Sequence, residues 1–247
     1  MTKTLSVIGV GAFGAFMLRH VTPYFRVSIY DTQRDLTDLA KTYNVSTCSL
    51  AEAAACDIVV LAVPVRAIAE VAEAIRPHLH PGQIVLDVAS VKVLPARTLV
   101  EHLPEDVEII GLHPLFGPQS GKTGIHGQNI AVVNIRSQGT ERVEAFLREQ
   151  LGLNVIACTA EEHDEQMAYV QGLTHMIARV FQNMDMPAIN QETKTFALLR
   201  QMVGIVKDDS DALFKAIQTD NPFVDTTKKK FFESVEQLQE ELKRDRP

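Results

Sequence analysis

The chain has 247 residues, of which 46% are hydrophobic and 22% charged, a composition typical of a globular protein with an apolar core. The formal net charge is -7 and no basic face is evident, which argues against a nucleic-acid partner. No stretch is long and apolar enough to span a membrane, and the three cysteines have neither C-x-x-C nor zinc spacing. We therefore expect a cytoplasmic protein that has no signal peptide and no membrane partner.

Strand and helix patterns alternate over the first two thirds of the chain. Helices are predicted, for example, over Val65–Ile75 and Thr140–Gln150. Strands that are almost continuously apolar and separated by helices indicate an α/β fold with a doubly wound, Rossmann-like parallel sheet. Seven short apolar runs predict its strands: Leu5–Ile8, Val27–Tyr30, Ile58–Ala62, Ile84–Leu86, Glu108–Leu112, Ile130–Val133 and Asn154–Ala157.

The first predicted strand runs into three glycines spaced as G-x-G-x-x-G, namely Gly9, Gly11 and Gly14. The first permits a tight turn, the second lets the backbone approach a pyrophosphate, and the third lets the next helix pack closely on the strand. The N-terminus of that helix would point its unpaired N–H groups at the phosphates. We therefore predict dinucleotide binding by the three glycines and the residues between them: Val10, Ala12 and Phe13.

An acidic residue ends the second predicted strand at the distance that this glycine motif requires. Asp31 would hydrogen-bond the adenosine ribose hydroxyls and repel a 2′-phosphate, which favours NAD. Arg34 follows three residues later, and an arginine there can hold a 2′-phosphate, so NADP stays open.

Ligands of open α/β sheets bind at the carboxyl ends of the strands, so the residues that follow each predicted strand are candidates for ligand contacts. Ser90 and Lys92 follow the strand Ile84–Leu86 and are expected to project near the dinucleotide cleft. His113 follows Glu108–Leu112 and is a candidate general acid or base, because a histidine pKa lies near working pH. Small apolar residues that can line the same cleft end an earlier strand: Ala62, Val63 and Pro64.

Beyond residue 159 the sequence is almost entirely helical. We predict a dinucleotide-binding domain over residues 1–159 and a helical domain over residues 160–247. The apolar faces of the second domain exceed the needs of one small bundle, which favours packing on the first domain and a homodimer. His163 and His175 form neither H-x-x-x-H nor H-E-x-x-H, so no metal site is predicted. The predicted helices cover Glu161–Asn183, Gln191–Lys207, Ser210–Gln218 and Phe223–Lys243.

Four segments together resemble the prephenate/arogenate dehydrogenases of tyrosine biosynthesis: D-V-A-S-V-K at Asp87–Lys92, G-L-H-P-L-F-G-P-Q-S-G at Gly111–Gly121, E-E-H-D at Glu161–Asp164 and Q-G-L-T-H-M-I at Gln171–Ile177. The resemblance covers nearly the whole chain in the family's order. It implies oxidative decarboxylation of a cyclohexadienol. Hydride leaves the hydroxyl-bearing ring carbon for a nicotinamide, a base takes the hydroxyl proton, and carbon dioxide leaves as the ring becomes aromatic.

The resemblance also implies roles for individual residues. His113 matches the catalytic histidine that accepts a hydrogen bond from the ring hydroxyl, and Ser90 matches the serine that bridges the hydroxyl, the histidine and the nicotinamide. Lys92 matches a lysine that assists near the cofactor. Further residues match positions that face or enclose the small-molecule substrate: Gln119, Ser120, Gln171, Thr174 and His175.

Two positions bear on the substrate. Bacterial members often carry an arginine for a substrate carboxylate where this chain has Ile205. The preceding segment, residues 174–196, looks more like the plant-type arogenate dehydrogenases, which also lack that arginine. Plant-type enzymes place an aspartate near Asn134, and an uncharged residue there favours the keto acid prephenate over the amino acid arogenate. Four basic residues are unranked candidates for the carboxylate partner: Lys122, Arg179, Lys194 and Arg200.

Prephenate oxidation with NAD is thus the favoured interpretation, with arogenate as the alternative substrate. Two more distant hypotheses stay open: another two-domain dehydrogenase, such as a β-hydroxyacid dehydrogenase or a pyrroline carboxylate reductase, and a non-catalytic nucleotide-binding regulator. The segment at His113 counts against both. We expect no fused chorismate mutase or regulatory domain, so that any tyrosine feedback would act at the active site.

Overall fold

The computed structural model describes residues 2–207 and 209–244. The chain divides into two compact units, Met1–His163 and Asp164–Pro247. The first unit is an α/β sheet domain and the second is helical, as the sequence predicts.

The described part of the first unit contains one eight-stranded sheet in the order β3-β2-β1-β4-β5-β6-β7-β8. Its order reverses at β1, where chains that fold in this way bind their ligands. The strands are β1 (Thr4–Ile8), β2 (Arg26–Tyr30), β3 (Ser46–Thr47), β4 (Ile58–Leu61), β5 (Ile84–Asp87), β6 (Glu108–Pro114), β7 (Asn129–Arg136) and β8 (Asn154–Ala157).

Helices connect most of these strands and bury both faces of the sheet. One core includes Val7 and Val60, and a second includes Ile8 and Leu61, because successive strand residues point to opposite faces. The helices are α1 (Ala12–Val21), α2 (Thr37–Tyr43), α3 (Leu50–Ala54), α4 (Ile68–Ile75), α5 (Val93–His102) and α6 (Thr140–Glu149), with 3₁₀ turns at Val65–Ala67 and Arg76–His78.

The sheet is mainly parallel, as the sequence predicts, but β7 departs from that arrangement. This strand runs antiparallel to β6, with Ala131 opposite His113, and β8 then pairs with β7 in parallel. An irregular loop over residues 115–128, and not a helix, connects β6 to β7. A parallel neighbour would need a crossover connection, whereas a loop can reverse the chain directly.

The second unit is built from helices at nearly the predicted positions. Helix α7 (Ala160–Asn183) begins in the first unit and continues into the second, where α8 (Lys194–Val206), α9 (Asp211–Lys215) and α10 (Val224–Arg244) follow. The predicted helix Ser210–Gln218 instead changes into a π-helical turn at Ala216–Asp220. Within the described ranges, no helix has the length and apolar character needed to cross a bilayer.

Candidate active site

The glycine motif forms the turn between β1 and α1. Gly9 has φ +92°, and a Cβ there would lie 2.6 Å from the carbonyl oxygen of Ala62 at the end of β4. A Cβ on Gly14 would lie 2.2 Å from the carbonyl oxygen of Gly9. A Cβ on Gly11, the N-cap of α1, would meet nothing within 4 Å. Two glycines are thus required by packing, while Gly11 borders open space at a helix N-terminus, the geometry that accepts a phosphate.

Asp31 is held against this turn by three backbone N–H groups. Val10 N–H donates to Oδ2 at 2.7 Å, and the N–H groups of Gln33 and Arg34 donate to Oδ1 at 2.8 and 3.1 Å. The guanidinium of Arg34 donates to the carbonyl oxygen of Val10 at 2.8 Å. A carboxylate and a guanidinium therefore both border the glycine turn, at the end of β2 where an adenosine ribose binds in this fold.

Ser90 and Lys92 follow β5 but occupy different environments. Ser90 is half-buried after the strand, whereas the Lys92 side chain is completely buried. The Lys92 ammonium pairs with the buried carboxylate of Asp87 and donates to the carbonyl oxygen of Leu112 at 2.8 Å. Its stem lies 3.1 Å from the position of a Cβ on Gly111. Lys92 is therefore buried and paired within the protein, whereas the sequence predicts that it projects near the dinucleotide cleft.

His113, near the end of β6, is buried and lies against a second histidine. Its Nδ1 is 2.7 Å from Nε2 of His163, and the two rings meet edge-to-face at 4.9 Å between centroids. Burial, the proximity of His163 and the Lys92 ammonium lower the pKa of His113 well below its ordinary value. His113 is therefore neutral at working pH and can accept a proton.

A capping box brings His163 to this position. Thr159 Oγ1 accepts from the N–H of Glu162 at 3.1 Å, and Glu162 Oε2 accepts from the N–H of Thr159 at 2.8 Å. Helix α7 thus starts at Ala160 with His163 in its first turn. Sequence reasoning assigned no role to His163. The only signal available was its place in the E-E-H-D segment.

The loop after β6 is tied to α1. The guanidinium of Arg19 donates to the carbonyl oxygen of Gly121 at 2.8 Å, and the ring of Phe16 packs edge-on against Phe116. The loop tip is exposed at Gln119 and Ser120, and Ser120 Oγ accepts from the N–H of Gly117 at 2.9 Å. The predicted enclosing residues thus lie in an anchored loop that follows the strand carrying His113.

The predicted substrate residues of the second unit share one face of α7. Gln171, Thr174 and His175 are spaced three and four residues apart, and the Thr174 hydroxyl donates to the carbonyl oxygen of Val170. His175 Nδ1 lies 3.0 Å from the carbonyl oxygen of Gln171, and Nε2 lies 3.0 Å from Oδ2 of Asp209. The ring of His175 thus lies between a carbonyl oxygen and a carboxylate oxygen.

The four candidate carboxylate partners differ in their contacts. Arg200 makes a two-point ion pair with Glu192 at 2.8 and 3.0 Å. Arg179 pairs with Asp211 and lies 4.2 Å above the ring of Phe214. In the described part of the chain, Lys122 and Lys194 form no ion pair.

Asn134 lies at the wrong end of its strand to discriminate substrates beside His113. It is paired with Ile110, three residues before His113 in β6, which corresponds to about 10 Å along a strand. Its side chain closes a turn by exchanging hydrogen bonds with the backbone of Ser137, each at 3.0 Å. The expectation that Asn134 favours prephenate came from the resemblance to plant-type enzymes, and this position does not support it.

Two protein-family models match the chain. The model described as the nucleotide-binding domain of prephenate dehydrogenase matches residues 14–148, and the model described as its dimerization domain matches residues 159–247. The first match includes Ser90 and His113, and the second includes the whole helical unit. In the residues that the structure describes, no group of three or more metal-ligating side chains is found.

Curated proteins and solved structures show the same likeness. A probable arogenate/prephenate dehydrogenase of Methanocaldococcus jannaschii is 30% identical over 76% of this chain and 44% of its own length. Arogenate dehydrogenase 1 of Arabidopsis thaliana is 26% identical over 96% of this chain and 39% of its own length. The chain thus spans about two fifths of the length of these relatives. A prephenate dehydrogenase structure from Aquifex aeolicus covers 99% of this chain and 92% of its own, with a TM-score of 0.79 and 20% identity.

Proposed function

The chain belongs to the prephenate dehydrogenase family, and on that premise we propose that it oxidatively decarboxylates prephenate to 4-hydroxyphenylpyruvate, with NAD as hydride acceptor. The observation that carries this proposal is a buried, neutral histidine at the carboxyl end of β6, in the same sheet as the glycine turn. Cytoplasmic tyrosine biosynthesis is the setting we expect for this reaction.

In the proposed mechanism the protein binds, orients and deprotonates. The glycine turn and the N-terminus of α1 hold the pyrophosphate, and Asp31 holds the adenosine ribose. When bound, the nicotinamide supplies the hydride acceptor. His113 Nε2 takes the proton of the ring hydroxyl, and Ser90 orients that hydroxyl. Aromatisation drives the loss of carbon dioxide, so the protein need only align the groups and exclude water.

We assign Lys92 a positioning role in this mechanism. Its ammonium is fully buried, is paired with Asp87 and is bonded to the backbone immediately before His113. A buried cation beside an imidazole disfavours imidazolium, which keeps the histidine in its basic form. Contact between Lys92 and either ligand is not needed for that effect.

The proposed preference for NAD rests on Asp31. Its carboxylate is fixed by three backbone N–H groups, at a position where it accepts hydrogen bonds from ribose hydroxyls and repels a phosphate. Arg34 supports the alternative use of NADP, because its guanidinium reaches the same turn. The Aquifex aeolicus structure, a complex with NAD⁺ and hydroxyphenyl propionate, is in keeping with NAD.

Arogenate is the second candidate substrate, favoured by the likeness to two Arabidopsis arogenate dehydrogenases. The two substrates differ only at the side chain, and Asn134 no longer discriminates between them. Gln171, Thr174 and His175 remain predicted substrate-binding residues on the resemblance alone. For the carboxylate we favour Lys122, since Arg179 and Arg200 are already paired with acidic side chains and Lys122 follows Gln119 and Ser120 in the loop after β6.

We also propose a homodimer formed through the helical unit. The matching family model is described as a dimerization domain. Helix α10 carries four apolar side chains that are about half exposed and fall on one helical face: Phe232, Val235, Leu238 and Leu242. Such a stripe is costly in water and is typical of a protein–protein interface.

Steady-state kinetics with prephenate and arogenate, each with NAD and NADP, test the substrate and the cofactor together. We expect the highest kcat/KM for prephenate with NAD. A large preference for arogenate would instead identify the protein as an arogenate dehydrogenase. Absence of nicotinamide reduction with both substrates would refute the dehydrogenase assignment.

A further inference from the structure

We propose that His163 is a positioning residue that fixes the tautomer of His113. This inference rests on the proposed function, because it explains how His113 presents a basic nitrogen. It starts from one contact, the 2.7 Å separation of Nδ1 of His113 and Nε2 of His163. Both side chains are buried, with exposures of 4% and 2% respectively.

A hydrogen bond between two ring nitrogens contains one proton, which belongs to one ring. If His113 Nδ1 carries it, Nδ1–H donates to His163, and Nε2 of a neutral His113 is left unprotonated. If His163 carries it, Nδ1 of His113 accepts, and Nε2 of a neutral His113 is the protonated nitrogen. Only the first arrangement gives His113 a lone pair on Nε2 that can receive the substrate proton.

The surroundings of His113 keep the ring neutral, so the choice between tautomers matters. Burial, His163 and Lys92 all lower the pKa of His113. A neutral imidazole has one N–H, and its position follows the partner of the other nitrogen. The acceptor therefore has to be built into the fold, and His163 supplies it.

The fold holds this acceptor rigidly. His163 lies in the first turn of α7, behind the capping box of Thr159 and Glu162. Its backbone N–H donates to the carbonyl oxygen of Thr159 at 3.1 Å. When His113 becomes an imidazolium in the reaction, Nδ1–H keeps its bond to His163, so no reorganisation is needed.

Nitrogen-15 NMR of the whole protein tests the tautomer directly and without substrate. We expect His113 Nδ1 to be protonated and Nε2 to be unprotonated at neutral pH. A proton on Nε2 of His113 would overturn the proposal. This measurement does not depend on turnover, so it stands even if the wild-type protein oxidises neither prephenate nor arogenate, a result that would refute the proposed function alone.

Substitutions at His163 test the consequence. In His163→Leu, which removes the acceptor, we expect a kcat loss of at least about tenfold, with unchanged NAD affinity. His163→Gln can place an amide oxygen near the lost Nε2 and should recover most of the kcat.

The exposed His78 provides the matched control, and His78→Leu should change neither kcat nor the pH profile. A folded His163→Leu protein with wild-type kcat would overturn the proposal. If that variant fails to fold, the comparison of His163→Gln with wild type and the nitrogen-15 spectrum decide. The proposal would also be overturned if the His163→Gln protein were fully active while its nitrogen-15 spectrum showed no proton on His113 Nδ1.

Discussion

At the scale of single residues, the chemistry depends on keeping a buried imidazole neutral. His113 has a lowered pKa because its charged form would be desolvated and would face both His163 and the Lys92 ammonium. A base of this kind is available over a wide pH range but is a weaker proton acceptor than an exposed histidine. Such a base is sufficient for the proposed reaction, since aromatisation of the ring would drive it.

The pH profile follows from this shift. His113 must be unprotonated to act, and its folded-state pKa lies well below 6.5. We therefore expect the kcat/KM for prephenate to stay level as the pH falls from about 8 to about 6.5, and to decline only at lower pH. An acid limb with its midpoint at or above pH 6.5 would contradict a neutral, buried base.

Lys122 gives the second prediction for a single residue. If its exposed ammonium binds a substrate carboxylate, Lys122→Ala should raise KM by roughly tenfold or more with little change in kcat, since an ion pair of about 1.4 kcal/mol is lost. Lys122→Arg should retain most of the affinity. Lys41→Ala, at another exposed lysine, is the control. An unchanged KM in Lys122→Ala would exclude this residue as the partner.

The sequence could predict His113 but not its partner. A histidine directly after an apolar strand is visible in the sequence, because the carboxyl edge of a sheet is where ligands bind. His163 lies fifty residues later, and its contact with His113 depends on how α7 leaves β8. Burial of Lys92 was equally hidden, because only the folded chain shows that Asp87 offers a buried counter-ion.

At the scale of elements, the turn between β1 and α1 links packing to cofactor binding. Gly9 and Gly14 contact each other and the end of β4 so closely that side chains do not fit. Gly11 is free of such contacts and faces the space that a pyrophosphate would take. Gly9 and Gly14 are thus required for packing, whereas Gly11 is expected to be required for cofactor binding.

Alanine variants distinguish the packing requirement from the cofactor-binding requirement. Gly14→Ala places a Cβ 2.2 Å from the carbonyl oxygen of Gly9, so we expect a loss of stability of about 1–3 kcal/mol. Gly11→Ala should change Tm little but weaken NAD binding. Thermal unfolding and calorimetric titration of both variants measure this. Equal effects of the two substitutions on Tm would contradict the division of roles.

The direction of β7 could not be predicted from the sequence pattern. The apolar run Ile130–Val133 correctly predicts a strand, but periodicity carries no information on its orientation. The available signal was the stretch between β6 and β7, which contains Gly117, Gly121 and Gly124 and no helical pattern. The resemblance to the prephenate/arogenate dehydrogenase family, by contrast, is confirmed by both family models.

At the scale of the whole molecule, the exposed stripe on α10 predicts assembly. We expect light scattering to give a dimer in solution. Leu238→Glu places a charge in the middle of the stripe and should shift the protein toward monomer, because an unpaired charge is costly in an interface. Glu233→Gln, at an exposed position on the opposite face of the same helix, is the control. A dimer that is unaffected by Leu238→Glu would exclude this face as the contact.

We propose that the protein couples nicotinamide reduction to decarboxylation through His113. The most direct test measures reduced nicotinamide and carbon dioxide together, from prephenate and NAD, for wild type and His113→Asn. We predict equimolar products from the wild type, and in the variant a loss of kcat of roughly 10² to 10⁴ with NAD affinity retained. Undiminished turnover in His113→Asn, or reduction without release of carbon dioxide, would contradict the account.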